Sequence, residues 1–207
     1  MAFDFKKEYR EFYLPSQSPV IVDVPPMNYV AVRGQGNPND EDSEYKASIE
    51  LLYGIAFTIK MSKMGDHRIE GYFDFVVPPL EGLWWSKNGE VDYGRKEDFH
   101  FVSMIRLPDF VTKEDFDWAV ETATKKKKKD FSKAEFFHYE DGRCVQCMHV
   151  GSYDMEPVTI GKMKAFAAQE GLAIAIDDVR LHHEIYLSDP RKTAADKLKT
   201  VIRYPVK

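Results

Sequence analysis

One predicted strand, residues 179–187 (VRLHHEIYL), carries side chains suited to chemistry near its centre. Side chains alternate between the two faces of a strand. One face therefore presents Arg180, His182, Glu184 and Tyr186. The other presents Leu181, His183, Ile185 and Leu187, and because it is mostly apolar we expect it to contact the helices.

Glu184, beside the phenol of Tyr186, can act in two ways if it faces a groove. An ionised carboxylate neutralises a cationic ligand that aromatic rings hold. A partly desolvated carboxylate has a raised pKa and can act as a general base. An exposed face, on which Glu184 merely pairs with Arg180 or a cross-strand lysine, is the alternative, because surface ion pairs are common and weak.

Aromatic residues are the candidates for the wall of such a groove. Trp84 and Trp85 are adjacent on a short strand and must face opposite ways, so one is expected in the core and the other in the groove. Further candidates are Tyr45, Tyr53, Tyr72 and Phe75.

Other motifs predict no metal and no cofactor. Cys144 and Cys147 form a C-x-x-C motif on a predicted strand, where positions three apart point to opposite faces and cannot share a metal. The lysines of 125–129 suit the negative end of a helix in solvent. GQGNPN does not complete a phosphate-binding fingerprint.

Composition excludes several classes of partner. The chain has 207 residues with 29 Lys and Arg against 34 Asp and Glu, a net charge of −5, so the broad basic surface that nucleic acid requires is not expected. No apolar run is long enough for a membrane helix, and the start resembles no signal peptide. Two cysteines suggest a reducing compartment, so we expect a cytoplasmic protein, with the oligomeric state open.

Two copies of a β-α-β-β pattern follow a lead-in at 1–26. The first (27–85) has strands at 27–33, 68–77 and 80–85 and a helix at 41–64; the second (143–206) has strands at 143–150, 179–187 and 199–206 and a helix at 156–170. A strand at 100–107 and a helix at 112–127, predicted within 98–128, follow a polar connector at 86–97. We predict an α+β fold over 27–206: two modules about a pseudo-twofold axis, an antiparallel curved sheet with helices on one face, and a groove between the modules.

Three separated strings carry a resemblance. VPPMNYVAVRGQGNPND, PPLEGLWW and HHEIYLSDPRKTAADKLKTVIRYPV resemble the GyrI-like small-molecule-binding domain family, over about residues 20 to 206. The resemblance implies tandem β-α-β-β modules with a ligand groove, as in the effector-binding domains of multidrug-sensing regulators. It also implies an acidic site residue at Glu184, with Tyr186 beside it and an aromatic wall at Trp84 or Trp85.

The resemblance implies binding of bulky aromatic or cationic drug-like compounds. Some stand-alone relatives are hydrolases that open strained cyclopropane rings of genotoxins, which is detoxification. In that hypothesis Glu184 accepts a proton from the attacking water, and Tyr186 or His182 donates to the dienone oxygen. The alternatives are non-catalytic sequestration and an inhibitor protein that acts through protein–protein contact.

Overall fold

Eight antiparallel strands form one curved sheet in the computed structural model, which describes residues 2–86 and 89–207. The part of the predicted connector at Lys87 and Asn88 lies outside the described residues. The strands are β1 (Val20–Val24), β2 (Met27–Gln35), β3 (Leu80–Trp85), β4 (His100–Arg106), β5 (Glu135–Tyr139), β6 (Gly142–Val150), β7 (His182–Tyr186) and β8 (Lys199–Pro205). Their order across the sheet is β1-β6-β8-β7-β3-β4-β2-β5.

The helices complete two β-α-β-β modules. The helices are α1 (Phe5–Glu8), α2 (Arg10–Tyr13), α3 (Glu44–Lys60), α4 (Lys113–Lys127) and α5 (Glu156–Gln169). One module is β2-α3-β3-β4 and the other is β6-α5-β7-β8, and their strands run across the sheet in mirrored order. The modules meet where β3 pairs with β7, and β1 and β5 extend the two outer edges. The predicted α+β fold with tandem modules is confirmed.

Local sequence signals set the ends of the long helices. The Ser43 side chain caps α3 by accepting from the backbone N–H of Lys46. Thr112 and Asp115 form the capping box that begins α4. Gly171, at φ +74°, follows α5 in the left-handed conformation that ends many helices.

The prediction of a strand at 68–77 is wrong. This segment is largely irregular, and only Phe75 forms an isolated bridge, with Phe3. Pro78 and Pro79 follow it and have no N–H to donate to a ladder. β4, which sequence analysis placed between the modules, is the last strand of the first one, and β5 is a strand that the analysis missed.

The long helices α3 and α5 cover the face of the sheet that carries Glu184. On that face Ser48 of α3 hydrogen-bonds Ser103 of β4 at 2.6 Å, and Thr159 of α5 hydrogen-bonds His149 of β6 at 2.8 Å. α4 packs against α3.

The short helices α1 and α2 lie against the other face of the sheet. There the Tyr13 hydroxyl donates to Glu81 of β3 at 3.3 Å. The face of His183 and Ile185, which was expected to contact the helices, therefore contacts the short helices α1 and α2, while the long helices α3 and α5 cover the opposite face. Both faces of β7 are buried and both carry polar groups, so hydrophobicity alone does not distinguish them. Within the described residues, no helix is long and apolar enough to cross a membrane.

Candidate ligand-binding site

A groove of 1020 Å³ lies between the two modules, on the face that α3 and α5 flank. Its residues come from the start of α3, from β3 and the connector after it, from the start of α5, and from β7 and the turn after it. Its aromatic and acidic lining residues are Tyr45, Tyr53, Trp84, Tyr93, Phe99, Tyr153, Asp154, Glu156, Glu184, Tyr186 and Asp189. A concave cavity that combines aromatic side chains with convergent polar and charged groups is typical of a small-molecule site.

Glu184 lines this groove. It is the middle residue of β7, opposite Gly82 of β3, and is 7% exposed. Nε2 of His182 lies 3.0 Å from its Oε1, in ion-pair range but without an aligned hydrogen bond. His182 is fully buried and outside the groove lining, and its Nδ1 is 3.1 Å from the Tyr204 hydroxyl. His182 therefore contacts Glu184 but is not among the residues that line the groove.

Trp84 and Tyr186 form the aromatic wall beside Glu184. The indole N–H of Trp84 donates to the Tyr186 hydroxyl at 2.7 Å. Gly82 makes this contact possible, because a Cβ there would lie 2.6 Å from Nε1 of Trp84 and 3.1 Å from the Tyr186 hydroxyl. Tyr45 packs on Trp84 with ring centroids 5.2 Å apart.

Glu156 is the second buried acidic residue among those that line the groove, and sequence analysis missed it. It begins α5, is 1% exposed, and its Oε2 accepts from the Tyr93 hydroxyl at 2.9 Å. An acidic residue in a first helical turn is ordinary, so the local sequence carried no signal of its burial. The signal that was available is the predicted pseudo-twofold fold, which brings the start of this helix to the groove.

The two carboxyl groups differ in acidity. Burial and the charge of Glu184 raise the pKa of Glu156 well above its ordinary value. Burial also acts to raise the pKa of Glu184, but contacts with His182, Tyr186 and Glu156 outweigh burial and lower it. Burial and the charge of Glu184 raise the pKa of Tyr186 well above its ordinary value, so this phenol stays protonated.

Glu156, His182 and Glu184 could also hold a metal ion among the described residues, since one donor atom of each lies within 4.8 Å of the others. Two carboxylates and an imidazole suit a divalent transition metal. The pair Cys144 and Cys147 does not form such a group: both are free and buried, and their side chains point to opposite faces of β6.

The other predicted wall residues divide into two groups. Tyr45 and Tyr53 line the groove. Trp85 lies on the opposite sheet face from Trp84 and stacks on His100 at 5.5 Å. Tyr72 and Phe75 also lie outside the groove, because the irregular segment that carries them packs against the end of α3, where the Tyr72 hydroxyl donates to the Lys60 carbonyl at 2.7 Å. These three residues do not join the groove that the prediction assigned to them.

Tandem β-α-β-β modules around a groove with aromatic walls are the architecture of a small-molecule-binding domain. Comparison with known proteins identifies the family of domain. Residues 17–207 match the model of the GyrI-like small molecule binding domain, and the chain belongs to this family. A search of curated proteins found no match.

Several solved structures are similar to the chain. The crystal structure of a hydrolase from Listeria innocua is 47% identical, with a TM-score of 0.90, and the match covers 99% of this chain and 100% of that one. An uncharacterised conserved protein from the same organism is 48% identical, with a TM-score of 0.93 and the same coverage. The EcmrR C-terminal domain shares the fold at 13% identity and a TM-score of 0.58, over 92% of this chain and 97% of that one.

Proposed function

We propose that the groove holds a bulky, electrophilic aromatic compound and hydrolyses a strained cyclopropane ring in it, with Glu184 as the general base. The observation that carries the proposal is the Glu184 carboxyl group, which lines a 1020 Å³ groove together with Trp84, Tyr186 and other aromatic side chains. Such a group can accept a proton from water while the surrounding rings position a planar substrate. The similarity to a Listeria innocua hydrolase over nearly the whole chain supports an enzymatic role.

The reaction adds one water molecule to the substrate. The water oxygen bonds to the ring methylene as Glu184 accepts one of its protons, and the carbon–carbon bond of the cyclopropane breaks. The electron pair of that bond moves into the conjugated dienone, whose oxygen becomes a phenolate. This oxygen then takes up the proton that Glu184 releases, which gives the phenol and restores the Glu184 carboxylate. Tyr186 keeps its own proton and donates a hydrogen bond to the oxygen as charge develops there. This activity would detoxify DNA-alkylating compounds.

The experiment is turnover of a spirocyclopropyl dienone, followed by mass spectrometry for addition of one water. We expect Glu184→Gln to lower kcat by about 10²–10⁴-fold, the usual contribution of a general base. The matched control is Glu114→Gln, at an exposed position on α4, which should leave kcat unchanged. Binding of a planar cationic dye to each variant is measured in parallel.

Two results would contradict the proposal. If Glu184→Gln retains turnover but loses dye binding, Glu184 is an electrostatic partner of the ligand and not the base. If the unmodified protein binds the dienone and never releases ring-opened product, sequestration replaces hydrolysis as its function.

A further inference from the structure

Glu156, His182 and Glu184 bring three possible metal-ligand atoms together. One donor atom of each residue lies within 4.8 Å of the others, and Nε2 of His182 is 3.0 Å from Oε1 of Glu184. Glu156 enters from the start of α5, whereas His182 and Glu184 are two residues apart on β7 and share one face of the strand. All three residues are more than nine-tenths buried. The helix and the sheet of one module therefore hold the group in place.

Two atoms of this group have no hydrogen-bond partner among the described residues. They are Nε2 of His182 and Oε1 of Glu156, and both are buried. The other polar atom of each side chain is held by a phenol. Nδ1 of His182 lies 3.1 Å from the Tyr204 hydroxyl, and Oε2 of Glu156 accepts from the Tyr93 hydroxyl at 2.9 Å. Buried polar atoms nearly always have a partner, so the two remaining atoms point to a ligand.

The phenols act on these side chains as the surroundings of a metal site do. A histidine that binds a metal through one ring nitrogen usually makes a hydrogen bond through the other, which fixes its tautomer and orientation. When Nδ1 of His182 donates to the Tyr204 oxygen, Nε2 carries the lone pair that a metal requires. Tyr93 orients the Glu156 carboxylate in the same way.

The group also lacks a cation. Among the described residues, His182 is the only basic side chain in ion-pair contact with Glu156 or Glu184. Lys96 lines the groove, but it pairs with Asp154 at 2.6 Å. Two buried carboxylates without a cation cost free energy, and one divalent ion would balance both charges.

The donor set and its spacing select the kind of ion. An imidazole with two carboxylates suits a transition metal better than Mg²⁺ or Ca²⁺, which prefer oxygen ligands alone. Ligand atoms about 2.1 Å from an ion and 3.0 Å apart, as in His182 and Glu184, subtend an angle of about 90° at the ion. This angle is that of neighbouring positions in an octahedron. Glu156 and Glu184 line the groove, so positions that the protein leaves free would open to it.

We propose that Glu156, His182 and Glu184 form a binding site for one divalent transition-metal ion, with Tyr93 and Tyr204 as positioning residues. This site goes beyond the proposed hydrolysis and does not depend on it. It nevertheless affects that reaction, because an ion bound to the Glu184 carboxylate competes for the group that accepts a proton from water. The metal-bound protein should therefore hydrolyse the substrate more slowly than the metal-free protein.

The first test is calorimetry of the full chain with Co²⁺ after treatment with EDTA. We expect one ion per chain, with the weak visible absorption of six-coordinate cobalt. Glu156→Gln and His182→Gln should each abolish this binding, whereas Glu114→Gln should leave it unchanged. His67→Gln is a second control, because His67 and Asp115 form an accessible histidine–carboxylate pair at 2.9 Å that an adventitious ion could use.

Two further measurements keep the test valid if a ligand variant fails to fold. Tyr204→Phe keeps all three ligands and removes the partner of His182, so the affinity for Co²⁺ should fall by about 10–100-fold. The unmodified chain with ¹⁵N-labelled histidine is also titrated with Zn²⁺, a diamagnetic ion of the same class. Zn²⁺ should shift the ring nitrogens of one of the six histidines, with the metal on Nε2.

Three results would overturn the metal site. They are the lack of saturable Co²⁺ binding by the unmodified chain, binding that Glu156→Gln and His182→Gln leave intact, and binding that His67→Gln removes. Shifts of histidines other than His182 on addition of Zn²⁺ would count against it equally.

The last test separates the metal site from the proposed hydrolysis. Co²⁺ should lower turnover of the spirocyclopropyl dienone, and EDTA should restore it. Turnover that rises with bound Co²⁺ would refute both the expected competition and the role of Glu184 as the base. Absence of turnover with and without the ion would refute the proposed hydrolysis alone, and calorimetry and NMR would then decide the metal site.

Discussion

The two faces of strand β7 differ in how completely their buried charged groups are paired. On the face away from the groove, Nδ1 of His183 lies 2.9 Å from Asp141 and Nε2 lies 2.9 Å from Glu81. Arg203 completes this group through a 2.9 Å contact with Asp141, and its guanidinium also donates to the Phe12 carbonyl at 2.6 Å. These four charged residues, the closed network, are each at most 3% exposed.

On the groove face, some of the buried polar groups have no hydrogen-bond partner among the described residues. Buried Nε2 of His182 and Oε1 of Glu156 have no aligned hydrogen bond among the described residues, and Glu184 is shared between them. A satisfied buried network stabilises and rigidifies a fold, whereas an unsatisfied one costs free energy. We infer that the closed network fixes β7 in place, and that the groove face keeps incompletely satisfied groups for a ligand or a proton to complete.

Removing one carboxylate from the closed network should have the largest effect on stability. Asp141→Ala leaves the charges of His183 and Arg203 buried without their shared partner, so the free energy of unfolding should fall by about 3–5 kcal/mol. Urea unfolding measures it. Asp117→Ala breaks an exposed ion pair with Lys113 on α4 and should cost less than about 1 kcal/mol. Equal losses in the two variants would show that the network contributes no more than a surface pair.

The closed network should also make stability depend on alkaline pH. Burial acts to lower the pKa of His183, but Asp141 and Glu81 raise it from 6.5 to about 9. A pKa raised in the folded state stabilises fully below pH 6.5, and this contribution disappears as the pH rises through about 9. The loss should be about 3 kcal/mol at most.

The measurement is urea unfolding across this pH range, compared with His183→Gln. Other groups titrate above neutral pH, so the difference between the two proteins isolates His183. The difference should be greatest at the acidic end of the range. A difference that stays constant across the range would contradict the assignment of a charged His183.

Strand alternation predicted part of this contrast. It correctly separated Glu184 and Tyr186 from His183, because a period of two follows from strand geometry alone. It did not predict which face carries α3 and α5, because the partners of His183 lie 42 and 102 residues away in the chain. A buried charged residue whose partners are distant in the chain has the same local sequence pattern as an exposed one.

The remaining errors have the same physical origin. Residues 68–77 have the composition of a strand, but no neighbouring strand offers them a ladder beyond the bridge at Phe75. Glu156 reads as an ordinary first-turn acid, and only its contact with Tyr93 and its proximity to Glu184 distinguish it. Tertiary contacts thus determine whether residues 68–77 form a strand and whether Glu156 belongs to the site, and the local sequence pattern does not contain this information.

The smallest expected effect separates the two tryptophans, which lie on the two faces of β3. Trp84 lines the groove and donates to Tyr186, so Trp84→Phe loses one hydrogen bond and leaves the Tyr186 hydroxyl without this donor. A net loss of about 1 kcal/mol corresponds to about a fivefold weaker Kd for a planar aromatic ligand, measured by calorimetry. Trp85→Phe is the matched control, because Trp85 stacks on His100 outside the groove, and its Kd should change by less than about twofold. If the two substitutions weaken binding equally, Trp84 owes its effect to the stability of β3 and not to contact with the ligand.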